Sequence, residues 1–458
     1  MKKLFLSIIA VSCFSAVAQD RVKQLDSIFN AEAAAGNFNG NVLIAEKGNV
    51  IYKKSFGLRD EANKLPLGEN SIFELASVSK QFTAMGIVLL QEKGKLKYDD
   101  KLASFFPELA FYGDITVRQL LNHTGGLPDY MELMEKHWDK SKMAANDDII
   151  AQMAQYKPAA LFAPGTKFEY SNTGYALLGS IIEKASGMPF GKYLEKAIFK
   201  PLQMENTFVY RRRYEPKEVK DYAYGYVFDE QGTKVLPDNV PGADMVVWLD
   251  GIVGDGMVNS TTGDLLKWDR ALYSDKLASK KSLAEIFTPA ILPDGFSTDY
   301  GFGWFIEKHP DYGMKVSHSG GWPGYITQIE RHTDNDKTII ILRNNDGERL
   351  PGNVIRRAVY GLPLVVKRQE ITLSEAQMLP YVGEYELAPG YNLAVTYDQG
   401  LKVQMPGQER FEAFPESEQK FFLKVVDAQM EFVKDDKGAV SKVMLYQEGR
   451  SIPALKVK

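Results

Sequence analysis

The apolar spacing of this 458-residue chain changes near residue 366, and that change constrains the fold more than any other feature. Beyond it, "YVGEYEL", "YNLAVTY", "LKVQMP", "RFEAF", "KFFLK", "MEFVK" and "VSKVMLYQ" alternate apolar with polar residues in short runs. Turns such as Asp398-Gln399-Gly400 and Asp436-Lys437-Gly438 separate them. A period of two sends successive side chains to opposite faces of a strand, and no helical period intervenes. The segment reads as a small antiparallel barrel or sandwich. We place the boundary between Leu362 and Arg368, giving one domain over residues 19–365 and another over 369–458; the length alone exceeds what one hydrophobic core usually serves.

Before the boundary the periods mix. "VKQLDSIFNAEAAAG" carries Val22, Leu25, Ile28 and Phe29 on one helical face, and "NGNVLIAEKGNVIYKKSFG" reads as two strands joined at Gly48-Asn49. A long apolar helix follows in "ELASVSKQFTAMGIVLLQEKG". The helix of "ITVRQLLNHTGGLPDY" stops at Gly125-Gly126, and Pro128 carries the chain into a loop. The charged stretch from Met131 to Tyr156 reads as helical and as a segment able to cover a site. "YSNTGYALLGSIIEKASGM" is a helix entered through Ser171 and Asn172, and in "STTGDLLKWDRAL" Ser260 stands as the cap, with Asp264 early in the helix. "YGFGWFIEK", "MKVSHSGGWPGYITQIER" and "KTIIILRNN" then read as consecutive strands of one antiparallel sheet.

The chain opens "MKKLFLSIIAVSCFSAVAQD": two lysines, an apolar run from Leu4 to Val11, and Ala16-Val17-Ala18 before Gln19. This pattern predicts a secretory signal peptide over residues 1–18, cleaved after Ala18, and an exported product, periplasmic or secreted. The run is too short to span a bilayer, so the mature chain is expected to carry no transmembrane segment. The alternative is a lipoprotein anchored at Cys13, for which Ala10 matches the processing pattern weakly.

Composition narrows the chemistry. Cys13 is the sole cysteine and lies in the leader, which leaves the mature chain without a disulfide, a thiol nucleophile or a thiolate metal site. Without Lys2 and Lys3, 53 basic side chains face 59 acidic ones, a net charge of about −6 with no long basic run, so nucleic acid is not an expected partner. The five histidines never fall at metal-ligand spacing and no glycine-rich phosphate loop is present. Neither a metal nor a cofactor is expected.

Ser77 and Lys80 stand three residues apart at the head of the apolar helix, so they share a face and the ammonium reaches the hydroxyl. A helix start also aims free N–H groups and positive potential at what lies there, which suits a developing oxyanion. An ordinary lysine keeps its proton at neutral pH, and only burial beside the positive dipole end turns one into a base for a serine. The other reading stays open at this point: Ser77 caps the helix while Lys80 lies along its surface. The same spacing at Ser417 and Lys420 falls in "FPESEQKFF", a polar turn with no helix to align the pair, and reads as solvated surface.

Two further motifs accompany the first: Tyr170-Ser171-Asn172 and His318-Ser319-Gly320. Ser-x-x-Lys followed by two such signatures resembles the penicillin-recognising serine enzymes. "SVSK", "YSN" and "HSG", in that order, look like the branch holding class C β-lactamases, D-alanyl-D-alanine carboxypeptidases, D-aminopeptidases and esterases. The likeness covers roughly residues 21–360, including "LLNHTGGLPDY" and "GDGMVNSTTGDLLKW". It implies a mixed α/β (α+β) fold of β-lactamase/transpeptidase type: an antiparallel sheet flanked by helices, an all-helical subdomain, then the small C-terminal β-domain. It also implies Ser77 as nucleophile, Lys80 as its proton partner, and Tyr170 as the phenolic acid and base. Asn172 would hold Lys80 and contact the substrate amide, and the backbone N–H groups of Ser77 and Gly321 would bind the oxyanion. His318, Ser319 and Gly320 would form the third signature, and Tyr130 would line the pocket mouth beside Asp129. Tyr170 alone reads equally as a core-edge aromatic.

His123-Thr124-Gly125 is a second match to the third signature, but it precedes Tyr170 and follows a helix, so a structural hydrogen bond in the loop beneath the site is expected of His123. The departure from the β-lactamase pattern is His318 itself, which stands where most β-lactamases carry a lysine. A histidine titrating near about 6.5 attracts a substrate carboxylate less at neutral pH. The resemblance thus implies an exported serine hydrolase working through an acyl-enzyme, a peptidase or esterase on D-amino-acid peptides or small acyl compounds, peptidoglycan-derived ones included. The alternatives are a true β-lactamase and a penicillin- or peptidoglycan-binding sensor without turnover.

Overall fold

The computed structural model describes residues 19–364, 368–388, 390–425, 428–447 and 450–458. The expected signal peptide with Cys13, and residues 365–367 inside the expected domain boundary, lie outside the described residues. Residues 22–350 form one compact unit and residues 351–458 belong to a second, which includes the helix Gly352–Tyr360. No helix among the described residues is long and apolar enough to cross a membrane.

The first unit is built on a six-stranded antiparallel sheet. Its strands are β1 (Gly40–Glu46), β2 (Asn49–Phe56), β3 (Phe305–His309), β4 (Gly313–Trp322), β5 (Tyr325–His332) and β6 (Lys337–Arg343), ordered β3-β4-β5-β6-β1-β2. Strands β1 and β6 are buried along nearly their whole length and pair from Gly40 with Arg343 to Glu46 with Lys337. Their continuous apolar runs suit strands covered on both faces. The β1–β2 turn is Lys47-Gly48, both left-handed at φ 52° and 75°, and β2 starts at Asn49, so the turn falls one residue earlier than the Gly48-Asn49 turn expected from sequence. Two positive φ values match the twist of a two-residue hairpin turn.

Helices fill the interval between the hairpin and β3. Helix α1 (Lys80–Glu92) is buried from Lys80 to Leu90 and packs against α5 (Asn172–Ser186). A β-carbon on Gly86 would lie 2.8 Å from Ile182 Cδ1, so a larger residue there would require that side chain to shift. Between them run α2 (Val117–Leu121), α3 (Tyr130–His137) and α4 (Asn146–Tyr156). Met134, Ile149, Ile150 and Met153 are buried in the main core, so the stretch after Met131 is a fixed part of the helical subdomain rather than a cover over it. In α6 (Thr262–Ala271) the cap is Thr261, whose Oγ1 accepts from the Asp264 N–H at 3.1 Å. Ser260, the cap expected from sequence, ends a short strand and bonds Thr207 instead.

The C-terminal unit resolves the choice between barrel and sandwich: eight strands from Gly383 to Lys456 form a closed barrel. The strand Arg450–Lys456 is absent from the sequence reading because Pro453 interrupts it. Its residues Arg450–Leu455 pair with Gln447–Lys442, but it meets Gly383–Ala388 only through Leu455 and Lys456, so among the described residues Pro453 has a partner on one side alone. Tyr385, Phe421 and Phe432 fill the interior, with Tyr381 stacked 4.5 Å from Phe432. Ser417 and Lys420 form a turn in which Ser417 Oγ accepts from the Lys420 N–H, as the sequence reading held.

Candidate active site

Ser77 lies in a single 3-10 turn, Ala76–Ser79, that feeds directly into α1. Ala76 adopts φ 47°, a left-handed conformation that costs a residue with a β-carbon about 1–2 kcal/mol. The residue before the turn is held at both its backbone groups: Leu75 N–H donates to Val258 O at 2.9 Å, and Thr327 Oγ1 donates to Leu75 O at 2.6 Å. The Ser77 hydroxyl caps nothing. It faces Lys80 Nζ at 3.0 Å.

Lys80 is 0% exposed, so it does not lie along the helix surface. Besides Ser77 Oγ, its ammonium meets Asn172 Oδ1 at 2.9 Å and Asp255 O at 3.0 Å. The rings of Tyr170 and Tyr175 lie 5.0 and 5.6 Å away, centroid to Nζ. Three donors meet three oxygens, and two of these can only accept. The third, Ser77 Oγ, can also donate. The same geometry therefore serves an ammonium donating to serine or an amine accepting the serine proton, with no atom displaced.

The elements carrying these groups are anchored separately. Ser171 Oγ caps α5 at the Gly174 N–H, 3.2 Å away, which presents Asn172 at the first helical position. The orientation of Asn172 follows from its donor partner, which takes the amide oxygen, and the residue borders the cavity at Ser77. Tyr130, 2% exposed, donates to Asp255 Oδ2 at 2.9 Å and so braces the loop whose carbonyl receives Lys80. Gly254 in that loop has φ 105°, and a β-carbon there would strike Tyr175 O at 2.3 Å.

Strand β4 supplies the opposite wall. β3 pairs with it only from Gly313 to Ser317, so the edge from His318 to Trp322 has no strand partner on that side among the described residues. Gly320 packs onto the nucleophile turn: a β-carbon would lie 2.3 Å from Leu75 O and 3.0 Å from Ser77 N. Ser319 and Gly321 are exposed, and nothing lies within 4 Å of where a Gly321 β-carbon would project. His318 is buried at 2% exposure. Its Nδ1 meets Ser319 O at 2.7 Å, which requires a proton there, so Nε2 accepts from Tyr300 Oη at 3.0 Å. Burial, reinforced by Lys80, pushes its pKa down to about 3, and both nitrogens are spent inside the protein. His318 therefore offers no free donor or charge to a substrate.

Tyr170 is half-buried, its ring 4.4 Å from His123 and 6.0 Å from His318. Its hydroxyl makes no hydrogen bond to Ser77 or Lys80 among the described residues. A cavity of about 60 Å³ opens at Ser77, bordered by Tyr130, Asn172, Gly321, Trp322 and Glu74 among others. Sequence reasoning missed Asp255, Trp322 and Glu74. Asp255 holds Lys80 through its backbone, which no residue-type pattern encodes, although the glycines of "GIVGDGM" mark a loop passing close to another chain segment. Glu74 is 4% exposed, and burial, with help from Asp250, pushes its carboxyl up to about 8 against the pull of Arg213 and Arg212.

Comparison with known proteins bears on the chain as a whole. The β-lactamase family model matches residues 25–360, and a domain of unknown function, DUF3471, matches residues 367–454. A penicillin-binding protein of Bacillus subtilis (strain 168) is 43% identical over 451 residues, covering 96% of this chain and all of that one. The octameric penicillin-binding protein homologue from Pyrococcus abyssi superposes with a TM-score of 0.65 at 26% identity over 94% of this chain and 99% of its own. D-amino acid amidase from Ochrobactrum anthropi SV3 superposes with a TM-score of 0.61 at 26% identity over 74% and 98%. The chain belongs to the β-lactamase family of serine hydrolases.

Proposed function

We propose that this chain is an exported serine hydrolase that cleaves amide or ester bonds of small acyl compounds, D-amino-acid peptides foremost, through an acyl-enzyme on Ser77. The observation carrying the reading is Lys80 Nζ, wholly buried and 3.0 Å from Ser77 Oγ, with its other two contacts made to oxygens that only accept. As a neutral amine Lys80 donates its two N–H groups to those oxygens and turns its lone pair to Ser77, so it takes the proton that Ser77 loses in attacking the acyl carbon, with Tyr170 beside it to pass a proton to the leaving group. Catalytic hydrogen bonds often tighten only with substrate in place, so the unbonded Tyr170 hydroxyl suits that role. The Asn172 amide nitrogen is free to meet the substrate amide. The free edge at Gly321, together with the start of the nucleophile turn, provides N–H groups for the oxyanion. Water then hydrolyses the ester on Ser77 and restores the hydroxyl.

Substrate class follows from His318. A true β-lactamase would draw its substrate's carboxylate to a cation at this position, whereas His318 is neutral and internally paired. That favours a substrate with no carboxylate at this point, such as an amide or ester, in keeping with the amidase relative. Intact mass after fluorophosphonate treatment tests the chemistry: one adduct on Ser77, absent in Ser77→Ala and slowed in Tyr170→Phe, is expected. A folded chain that takes no adduct refutes it in favour of a sensor without turnover. Rapid hydrolysis of a chromogenic cephalosporin would instead establish the β-lactamase reading. Export, read from residues 1–18, predicts a product beginning at Gln19 on N-terminal sequencing of the extracytoplasmic fraction.

A further inference from the structure

His123 takes no part in the chemistry above, yet it is buried against Tyr170 and held at both its backbone and its ring. It follows α2 at φ 59°, a conformation a residue with a β-carbon keeps only when its surroundings enforce it. Two hydrogen bonds do so. The His123 carbonyl accepts from the Glu169 N–H at 3.0 Å, and its Nδ1 accepts from the Ser171 N–H at 3.1 Å. Those donors flank Tyr170, one on either side, so one residue clamps the backbone presenting the phenol. The imidazole also lies against that phenol and against Tyr300, with centroids 4.4 and 4.5 Å apart.

The clamp fixes the tautomer. A backbone N–H only donates, so Nδ1 is bare and the proton is on Nε2. Nε2 is buried and has no hydrogen-bond partner among the described residues. An imidazolium has no acceptor and would release Ser171. Burial first, then Lys80 and His318, holds His123 well below its ordinary pKa and keeps the clamp closed.

We infer that His123 is the positioning residue for Tyr170: by clamping Glu169 and Ser171 it sets where the phenol meets the reacting atoms, which rests on the acyl-enzyme reading of Ser77. Asn172 has anchors of its own. Thr173 Oγ1 donates to Pro128 O at 2.6 Å and accepts from the Tyr130 N–H at 2.8 Å, next to the Ser171 cap. Loss of the His123 side chain therefore displaces Tyr170 while the Lys80–Asn172 contact persists.

The test is a double-mutant cycle on the rate of Ser77 phosphonylation by a fluorophosphonate. His123→Gly removes the side chain without backbone strain at positive φ. His123→Asn also tolerates that φ and places an amide oxygen near the Nδ1 position. His123→Gly is expected to slow labelling about 100-fold, the usual consequence of a displacement near 1 Å, and His123→Asn to restore most of the rate. In a Tyr170→Phe background His123→Gly should cost less than about threefold, because the group it positions is gone. An equal loss in both backgrounds, or wild-type labelling of His123→Gly, overturns the inference and leaves the acyl-enzyme reading standing. A wild-type chain that takes no label overturns both. Nitrogen-15 NMR of the intact chain gives a readout independent of variant folding: His123 protonated on Nε2 supports the clamp, and protonation on Nδ1 refutes it.

Discussion

Exchanging Gly320 for alanine tests how closely strand and nucleophile are fitted. The new methyl would lie 2.3 Å from Leu75 O, 2.4 Å from Thr327 Oγ1 and 3.0 Å from Ser77 N. Carbon and oxygen ordinarily stay about 3.3 Å or more apart, so the overlap with the Leu75 carbonyl is about 1 Å. Thr327 could rotate away, but only by giving up its bond to Leu75 O, and the backbone atoms have no such freedom. β4 and the turn bearing Ser77 must then separate by about that overlap. Overpacking of this kind costs about 1–3 kcal/mol of stability, and a 1 Å displacement of a reacting group costs about 100-fold in rate. Gly321→Ala is the control, since its methyl meets nothing within 4 Å and should change stability by less than about 0.5 kcal/mol. Urea unfolding and the rate of Ser77 phosphonylation measure both. A Gly320→Ala chain as stable and as reactive as wild type would refute the close-fit reasoning, as would equal destabilisation by Gly321→Ala.

Three further outcomes can be measured. His318 is held at about 3 against 6.5 unfolded, so its contribution is complete above pH 6.5 and is lost as pH falls toward 3. At roughly 1.4 kcal/mol per pH decade the loss reaches at most about 5 kcal/mol, and His318→Gln should flatten the acid side of the stability profile. Glu74 has the opposite sign: its carboxyl is raised from 4.5 to about 8, so its contribution is complete below pH 4.5 and is lost as pH rises to 8. Glu74→Gln should remove up to about 5 kcal/mol of that decline, and an unchanged profile would mean that the carboxyl ionises freely. Phe432→Ala empties the centre of the C-terminal barrel, where Phe432 is 0% exposed, and should lower that unit's unfolding free energy by about 3–5 kcal/mol; calorimetry showing no shifted transition would contradict its packing.

Much of this arrangement was legible because it is local. Ser77 and Lys80 are one turn apart, so helical spacing alone put ammonium and hydroxyl within reach, and the 3.0 Å contact needs no distant residue. The alternation after residue 380 likewise read as strands, whereas the eighth escaped because Pro453 broke the pattern. The caps show the limit of such reading: at Ser260-Thr261 either hydroxyl could begin a helix, and only the position of the preceding strand selects Thr261. His318 was read as a substrate-facing group of ordinary basicity. Its Nε2 is occupied by the hydroxyl of Tyr300, eighteen residues away in sequence and beyond the reach of any motif.

Order and spacing of residues by themselves determined the mixed sheet-and-helix unit, the β-domain after it, and the pairing of Ser77 with Lys80, because periodicity and helical neighbourhood are properties of contiguous chain. Tertiary structure alone decided that β1 closes against β6, that the Asp255 carbonyl completes the shell of Lys80, and that His123 grips both neighbours of Tyr170. Each of these joins segments far apart through backbone groups, which every residue carries and no side-chain pattern announces.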